Sequence, residues 1–315
     1  MKLTKQLLAK YLEFQLKLNP ASKFNSLEHQ LLKELENGSR DINLTRLALD
    51  ENNSIYAVIR LYPFSSKTWL LGELEYVPGI QSTQKLVALE LIPESIYIAR
   101  NFNVEKIETR IKISSVFEEY RGMLKNSGFI FKGPRIEFKS PVEELPGEEG
   151  SPLKWIEVDE QKFALSLDIL GKCLKNDPDW DQDDSDYRQF VNSLLRQEGL
   201  NNSLSCIHLG IYRGVYAAFV FAQVDPSTGW SRIAYMGLIP EYRGKDLGKW
   251  VHRHGFQMIR EQRGRMYQGG CLAENKPMVS LFKLHKCSEY CRYEEWIWVK
   301  SRVDWYIENM FKHNY

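Results

Sequence analysis

The chain has 315 residues, with 42 Lys plus Arg against 41 Asp plus Glu and a formal net charge of +1, which leaves no bulk electrostatic footprint for nucleic acid or an anionic membrane. That length fits two domains better than one, and no apolar run approaches the ~18 residues a membrane span requires. The 5 cysteines, Cys173, Cys206, Cys271, Cys287 and Cys291, form an odd set confined to the second half with no secretory leader ahead of them; they predict reduced thiols in a cytoplasmic compartment.

In chain order, Leu3, Leu7, Leu8, Leu12 and Leu16 recur at helical spacing among Lys5, Lys10 and Lys17, an amphipathic helix rather than a leader. Strands are predicted over residues 44–49, 55–61 and 69–76, a helix over 84–91, a strand over 106–113 and a helix over 117–125. Residues 141–152, rich in Pro, Gly and Glu, read as a linker between a domain over 1–140 and a second over 153–315.

The second half predicts helices over 159–175 and 187–197, with an acidic loop between them that carries Asp177, Asp179, Asp181, Asp183 and Asp184. Its alternating aspartates imitate a calcium loop, but Gln182 and Arg188 stand where Gly and Glu are needed. The loop reads as solvated charge or as an attractor for a cationic amine. Three strands follow as a meander over 205–212, 215–224 and 231–239, then a helix to about Gly264, a strand over 267–273, a helix opened by Asn275 and Pro277 and ending near Lys286, and closing β structure over 290–300. The two halves repeat one order of elements, which predicts an internal duplication. Cys287 and Cys291, although near His285, lack the second ligand pair of a zinc site, so no metal is expected.

Between the third strand of the meander and its helix lies Leu238-Ile239-Pro240-Glu241-Tyr242-Arg243-Gly244-Lys245-Asp246-Leu247-Gly248. A glycine-bearing turn that opens a helix leaves backbone N–H groups unpaired, and the helix dipole adds partial positive charge, so the turn predicts a cradle for a pyrophosphate. The first half has Val77-Pro78-Gly79-Ile80-Gln81-Ser82-Thr83 at this place, without the basic residue or the paired glycines, and weak or no phosphate binding is expected there.

Arg243-Gly244-Lys245-Asp246-Leu247-Gly248, together with the meander before it and the run from Ala273 through Asn275 to Phe282 after it, resembles the GNAT superfamily of acyl-CoA-dependent N-acetyltransferases. Asp246 replaces the first glycine of that family's signature. The first half resembles the family only through its late-helix ending, from Met123 to Phe129. The whole is similar to tandem GNAT proteins, and loosely to VipF-type bacterial effectors, without an effector-specific motif. The resemblance implies an α/β fold with a mixed sheet, built as two tandem GNAT-like domains of which the first is degenerate.

The resemblance further implies acetyl-CoA (coenzyme A) as cofactor. Leu238 and Ile239 would meet the pantetheine arm, and the backbone there would hold the thioester carbonyl as it gains negative charge. Arg243, Gly244, Lys245, Asp246, Leu247 and Gly248 would hold the pyrophosphate, and Asn275 and Phe282 would contact the arm. An amine acceptor, small or on a protein, must lose a proton before it attacks. The late-helix Tyr that often serves as acid in the family corresponds here to Phe282, so Tyr235 is the candidate hydroxyl and Glu274 the candidate base. His252 and His254 read as helix-surface residues, and His285 as a cation suited to a helix end. The other reading is a tandem protein that binds an acyl-CoA or a partner, through its first domain for instance, and transfers nothing. Delivery into a host cytosol would follow if it were an effector.

Overall fold

A computed structural model describes residues 5–18, 44–64, 67–115, 118–180, 187–196, 199–201 and 203–300. The chain divides into two compact units, Met1–Lys132 with Glu294–Tyr315, and Gly133–Tyr293. Leu3 and Asp181, Asp183 and Asp184 of the acidic loop lie outside the described residues.

In the first unit, α1 (Lys5–Leu18) is the expected amphipathic helix, and it buries Tyr11, Leu12 and Phe14 with Ile55 and Val58. The sheet runs β1 (Thr45–Leu49), β2 (Ile55–Pro63), β3 (Thr68–Leu71), β5 (Lys106–Lys112), then the end of β12 (Ser288–Val299), with the short β4 (Glu75–Tyr76) beside β2. Helices α2 (Ser82–Ala88), α3 (Leu91–Asn101) and α4 (Glu118–Asn126) complete it. Helix α3 is absent from the elements the sequence predicts. Its Pro93 sits in the first turn, where a missing N–H breaks no helical hydrogen bond. Its apolar face, Leu91, Ile92, Ile96 and Ala99, joins a core with Ile59, Leu71, Ile107, Leu124, Trp296 and Trp298.

The second unit contains β6 (Ile130–Pro141), β7 (Lys154–Glu157), α5 (Phe163–Cys173), α6 (Tyr187–Leu195), β8 (Ile207–Tyr212), β9 (Val215–Val224), β10 (Trp230–Leu238), α7 (Gly248–Glu261), β11 (Met266–Leu272) and α8 (Lys276–Leu284). Its sheet order is β6-β11-β10-β9-β8-β7. Every pair is antiparallel except β10 with β11. Residues Ala217 to Val224 of β9 are buried on both faces of the sheet, as the continuous apolar run requires. Helix α7 lies against β9 and β10, and Gly255 lets it approach, since a Cβ there would stand 2.9 Å from Ile233 Cγ1.

The strand beside β11 comes from residues 135–141 of β6, ahead of the rest of its unit in the chain. The strand beside β5 comes from the far end of β12. Each closing strand therefore lies out of chain order within its own unit, and the stretch 141–152 read as a linker lies inside the second unit. Val142, Leu145 and Leu153 are buried in its core, and Val142 N–H donates to Arg265 O at 2.9 Å. Those apolar residues are too sparse to show a period, yet each one is inserted. Among the described residues no helix is long and apolar enough to cross a membrane.

Candidate functional site

Strands β10 and β11 pair only at Trp230 with Met266 and Ser231 with Tyr267, then separate. The register of β10 on β9 shifts between Ile233 and Tyr235, which leaves Ala234 as a one-residue bulge. A bulge bends and twists its strand, and here it marks where β10 leaves β11. Ile239 N–H donates to Ala217 O at 3.0 Å, so by strand alternation the backbone of Leu238 faces the other way, into the opening. Ala273 N–H likewise donates to Pro134 O at 2.8 Å, and Leu272 faces the opening from the β11 side.

Beyond Leu238 the chain makes a 3₁₀ turn, Pro240–Tyr242, and reaches α7 at Gly248. Gly244 (φ 71°) and Asp246 (φ 58°) are both left-handed. Tyr242, Arg243 and Trp250 donate their N–H groups within the turn. The amides of residues 244–249 have no acceptor among the described residues. Six consecutive unanswered donors at a helix start fit an anionic diphosphate. Nothing stands within 4 Å of a Cβ built on Gly244, so the mouth of the turn is open. The Asp246 side chain turns outward and pairs with Lys249, as expected of a residue that supplies its amide. Lys245 is exposed, its ammonium 4.9 Å from the Tyr242 ring centre. Leu247 is buried beneath the turn.

Arg243 differs from expectation. Its Nε donates to Leu238 O at 3.0 Å and its Nη2 to Cys173 O at 2.6 Å, with Nη1 3.4 Å from Asn176 O. The guanidinium fastens the turn to the end of α5 and satisfies the Leu238 carbonyl, and it does not face the cradle.

Tyr235 donates its hydroxyl proton to Asp177 Oδ2 at 2.8 Å, with Cys173 O at 3.1 Å as a second acceptor. Asp179 Oδ1 accepts from Leu272 N–H at 2.7 Å and from Arg135 at 3.3 Å, and its Oδ2 accepts from Asn275 Nδ2 at 2.6 Å. Arg135 also binds Glu137 at 3.0 Å and Gly270 O at 2.8 Å. Burial raises the Asp177 carboxyl above its ordinary value, and burial followed by the Asp177 charge raises the Tyr235 phenol well above its own. The start of the acidic loop is thus tied to both sides of the opening rather than solvated.

Asn275 caps α8 by accepting from Met278 N–H at 3.2 Å while its amide is held by Asp179. Glu274 is exposed, and no hydrogen bond joins it to Tyr235 or Asn275. Phe282 is 1% exposed and stacks on Phe138 with ring centres 4.3 Å apart. It is a core residue with no free face for a cofactor. Sequence reasoning missed Arg135 and Glu137, which belong to β6 and carry no motif. It saw Asp177 and Asp179 only as charge, and the alternating Asp-Pro-Asp pattern held no signal of their partners.

The histidines depart further from expectation. His252 is 0% exposed, its Nε2 3.1 Å from Tyr267 Oη and its Nδ1 3.1 Å from His285 Nδ1. His254 joins Glu148 at 2.7 Å to His208 at 2.8 Å and stacks on Trp155. Helix α7 is covered on both flanks, by α8 and by the segment the sequence suggested was a linker, which is why polar residues there are buried. Burial lowers His208 and His285 to about 4, with His254 and Arg253 adding to the respective shifts, and burial lowers His252 well below its ordinary value. His285 is therefore neutral near pH 7 and is no helix-end cation.

A mixed sheet opened between two parallel strands by a bulge, with a glycine turn leading from the opening into a helix, is the fold of the GCN5-related N-acetyltransferases. This chain carries that fold as a tandem pair with a degenerate first copy. A GCN5-related N-acetyltransferase from Sphaerobacter thermophilus matches with a TM-score of 0.63 at 10% identity, over 92% of this chain and 91% of that one. A tandem GNAT protein from the clavulanic acid biosynthesis pathway matches at 0.53 and 12% identity, over 93% and 94%. A GCN5-related N-acetyltransferase from Kribbella flavida matches at 0.50 and 12%, over 81% and 90%. No family model matches the chain, and no curated protein matches it in sequence.

Proposed function

We propose that the second unit is an acetyl-CoA-dependent N-acetyltransferase acting on a primary amine. The observation that carries this reading is the run of unanswered amides at residues 244–249, at the mouth of the opening between β10 and β11. The amides of Gly244, Lys245, Asp246, Leu247 and Gly248 would bind the diphosphate, and Lys245 would add charge. Bound acetyl-CoA supplies an acetyl group activated as a thioester. The Leu238 amide, which faces the opening, would hold the acyl carbonyl where negative charge develops. Arg243 keeps that strand end in place through the Leu238 carbonyl. Tyr235, on β10 ahead of Leu238, would supply a hydroxyl, and Glu274, exposed beyond β11, would meet the acceptor.

A binding module without transfer activity is the second reading. It is favoured by Asp179, which already occupies the Leu272 amide and Asn275. Thiol release from acetyl-CoA across a panel of small amines and lysine peptides, paired with calorimetry of coenzyme A, separates the two. Turnover above the uncatalysed rate supports the enzyme. Binding without turnover supports the module, and absence of both defeats the cradle itself.

A further inference from the structure

An amine with a pKa of ~10.4 is protonated at neutral pH, and that proton must pass to a base before the nitrogen attacks. Resting on the N-acetyltransferase reading, we infer that Asp177 receives it through the Tyr235 hydroxyl. Side chains of Tyr235 and Gly237 project from the same face of β10, and the Tyr235 hydroxyl lies 2.8 Å from where a Gly237 Cβ would stand. The ring is therefore laid along the strand toward Leu238, the residue whose backbone faces the opening, and only glycine at 237 leaves room for it. The hydroxyl proton is donated to Asp177 Oδ2 at 2.8 Å, with Cys173 O at 3.1 Å as the longer second acceptor. A phenol in that state keeps its oxygen lone pairs for an incoming N–H.

Asp177 is held in position. Its Oδ1 accepts the Asp179 N–H at 3.0 Å, and Asp179 is fastened to Leu272, Asn275 and Arg135. Among the described residues, the titratable and charged groups that act on Asp177 include Tyr235 on β10, Arg243 in the turn, Asp179 in its own loop, Cys173 at the end of α5 and Cys271 on β11. Burial is the largest influence and raises its affinity for a proton.

In the step, an N–H proton of the ammonium passes to Tyr235 Oη while the phenolic proton passes to Asp177 Oδ2, leaving a neutral amine, a neutral tyrosine and a protonated Asp177. The amine lone pair forms the C–N bond and the C–S bond breaks, its electron pair staying on sulfur. The second proton lost by nitrogen neutralises the thiolate, and Asp177 returns its proton to water. Asp177 acts through Tyr235 and is a positioning residue.

The test has two arms. Carboxyl 13C NMR of the free protein, assigned with Asp177→Asn, follows Asp177 against pH. Tyr235→Phe removes a donor to the carboxylate and should move its titration to higher pH; an unmoved titration overturns the assignment without any turnover being needed. In the second arm, thiol release is followed with spermidine and lysine amide as acceptor probes. Asp177→Asn should lower kcat by about 10²- to 10⁴-fold and erase the acid limb of the pH profile, with the Kd for coenzyme A unchanged. Asp177→Glu should restore part of the rate, and Gly237→Ala, which displaces the hydroxyl, should lower kcat as Tyr235→Phe does. A retained rate and acid limb in Asp177→Asn overturns the proposal alone, whereas no thiol release by the unaltered protein strikes the enzyme reading.

Discussion

The two units share their framework and differ at one turn. In the first, β3 pairs in parallel with β5 from Thr68 opposite Lys106; in the second, β10 pairs with β11 from Trp230 opposite Met266. Counted from those positions, Gly72 corresponds to the bulged Ala234. Leu71 pairs with Leu61 and Glu75 with Val58, so here too one extra residue is spent. The late helices end alike: Phe129 N–H donates to Leu124 O and Cys287 N–H to Phe282 O, both at 2.9 Å, with left-handed Gly128 and Lys286 between. The strand-to-helix turn is where they part. In the first unit it is shorter, and Gln81 N–H at the start of α2 is met by Gln84 Oε1 at 3.4 Å, whereas the second leaves its amides 244–249 unanswered. Bulge and cradle are separable: the sheet needs the first for its shape, and only a ligand needs the second.

The largest effect tests the shared framework. Phe282→Ala should cost about 3–5 kcal/mol of stability, as a fully buried aromatic does, and Leu124→Ala about 2–5 kcal/mol, both read by denaturant unfolding. If Phe282 were a cofactor-packing residue, its replacement would instead weaken coenzyme A binding and spare stability.

The next separates the turns. Gly244→Val forces a β-branched residue into left-handed backbone and crowds the open mouth. Losing two charge-assisted amide bonds at roughly 1.5–3 kcal/mol each should weaken coenzyme A binding by about 100-fold or more in calorimetry. Gly79→Val, at an equally left-handed glycine of the first unit, should leave that affinity unchanged. Equal losses from both would show that the first unit binds the same ligand.

A third contrast is in acid. The lowered histidines, His208, His252 and His285, all belong to the second unit. Each stays neutral in the folded state while the unfolded chain takes up a proton below its ordinary pKa of about 6.5. The unfolded state then binds more protons, so stability falls with falling pH from about 6.5 down to the folded values, about 4 for His208 and His285. Across that window the unfolding constant should rise by up to about tenfold per pH unit for each histidine. Hydrogen exchange should report the loss in residues 133–293 before the first unit, and simultaneous loss in both would count against this account.

Much of this was legible in the residues. The meander, the late helices and the amphipathic opening helix follow from periodicity, and the cradle follows from glycines beside a helix start. What stayed hidden is non-local. Nothing in residues 130–141 announces a strand that pairs with β11, so Arg135 and Glu137 fall outside any expected site. His252 and His254 were legible as helical but not as buried, because the segment that covers them has too few apolar residues to look structural. Asp177 and Asp179 could be seen as charges, while their partners Tyr235, Leu272 and Asn275 lie some 60 to 95 residues away.

The smallest effect bears on the residue that departs from the family signature. Asp246 sits at φ 58°, a backbone that asparagine and aspartate tolerate and glycine prefers, and its carboxylate pairs with Lys249 at the rim of the cradle. Asp246→Gly should leave stability nearly unchanged, because relief of the left-handed strain is offset by the greater freedom of glycine in the unfolded chain. It removes one negative charge beside the bound diphosphate and frees Lys249 to face it. An exposed charge near a helix N-terminus is worth about 0.3–1 kcal/mol, so coenzyme A should bind about 2- to 5-fold tighter at low ionic strength, with the gain fading as salt screens it. Asp246→Asn should capture most of that gain, since it removes the charge and keeps the backbone preference. A loss of affinity in both variants would mean that the carboxylate turns inward and bonds the ligand, and the outward Asp246–Lys249 pair would then be a feature of the free protein alone.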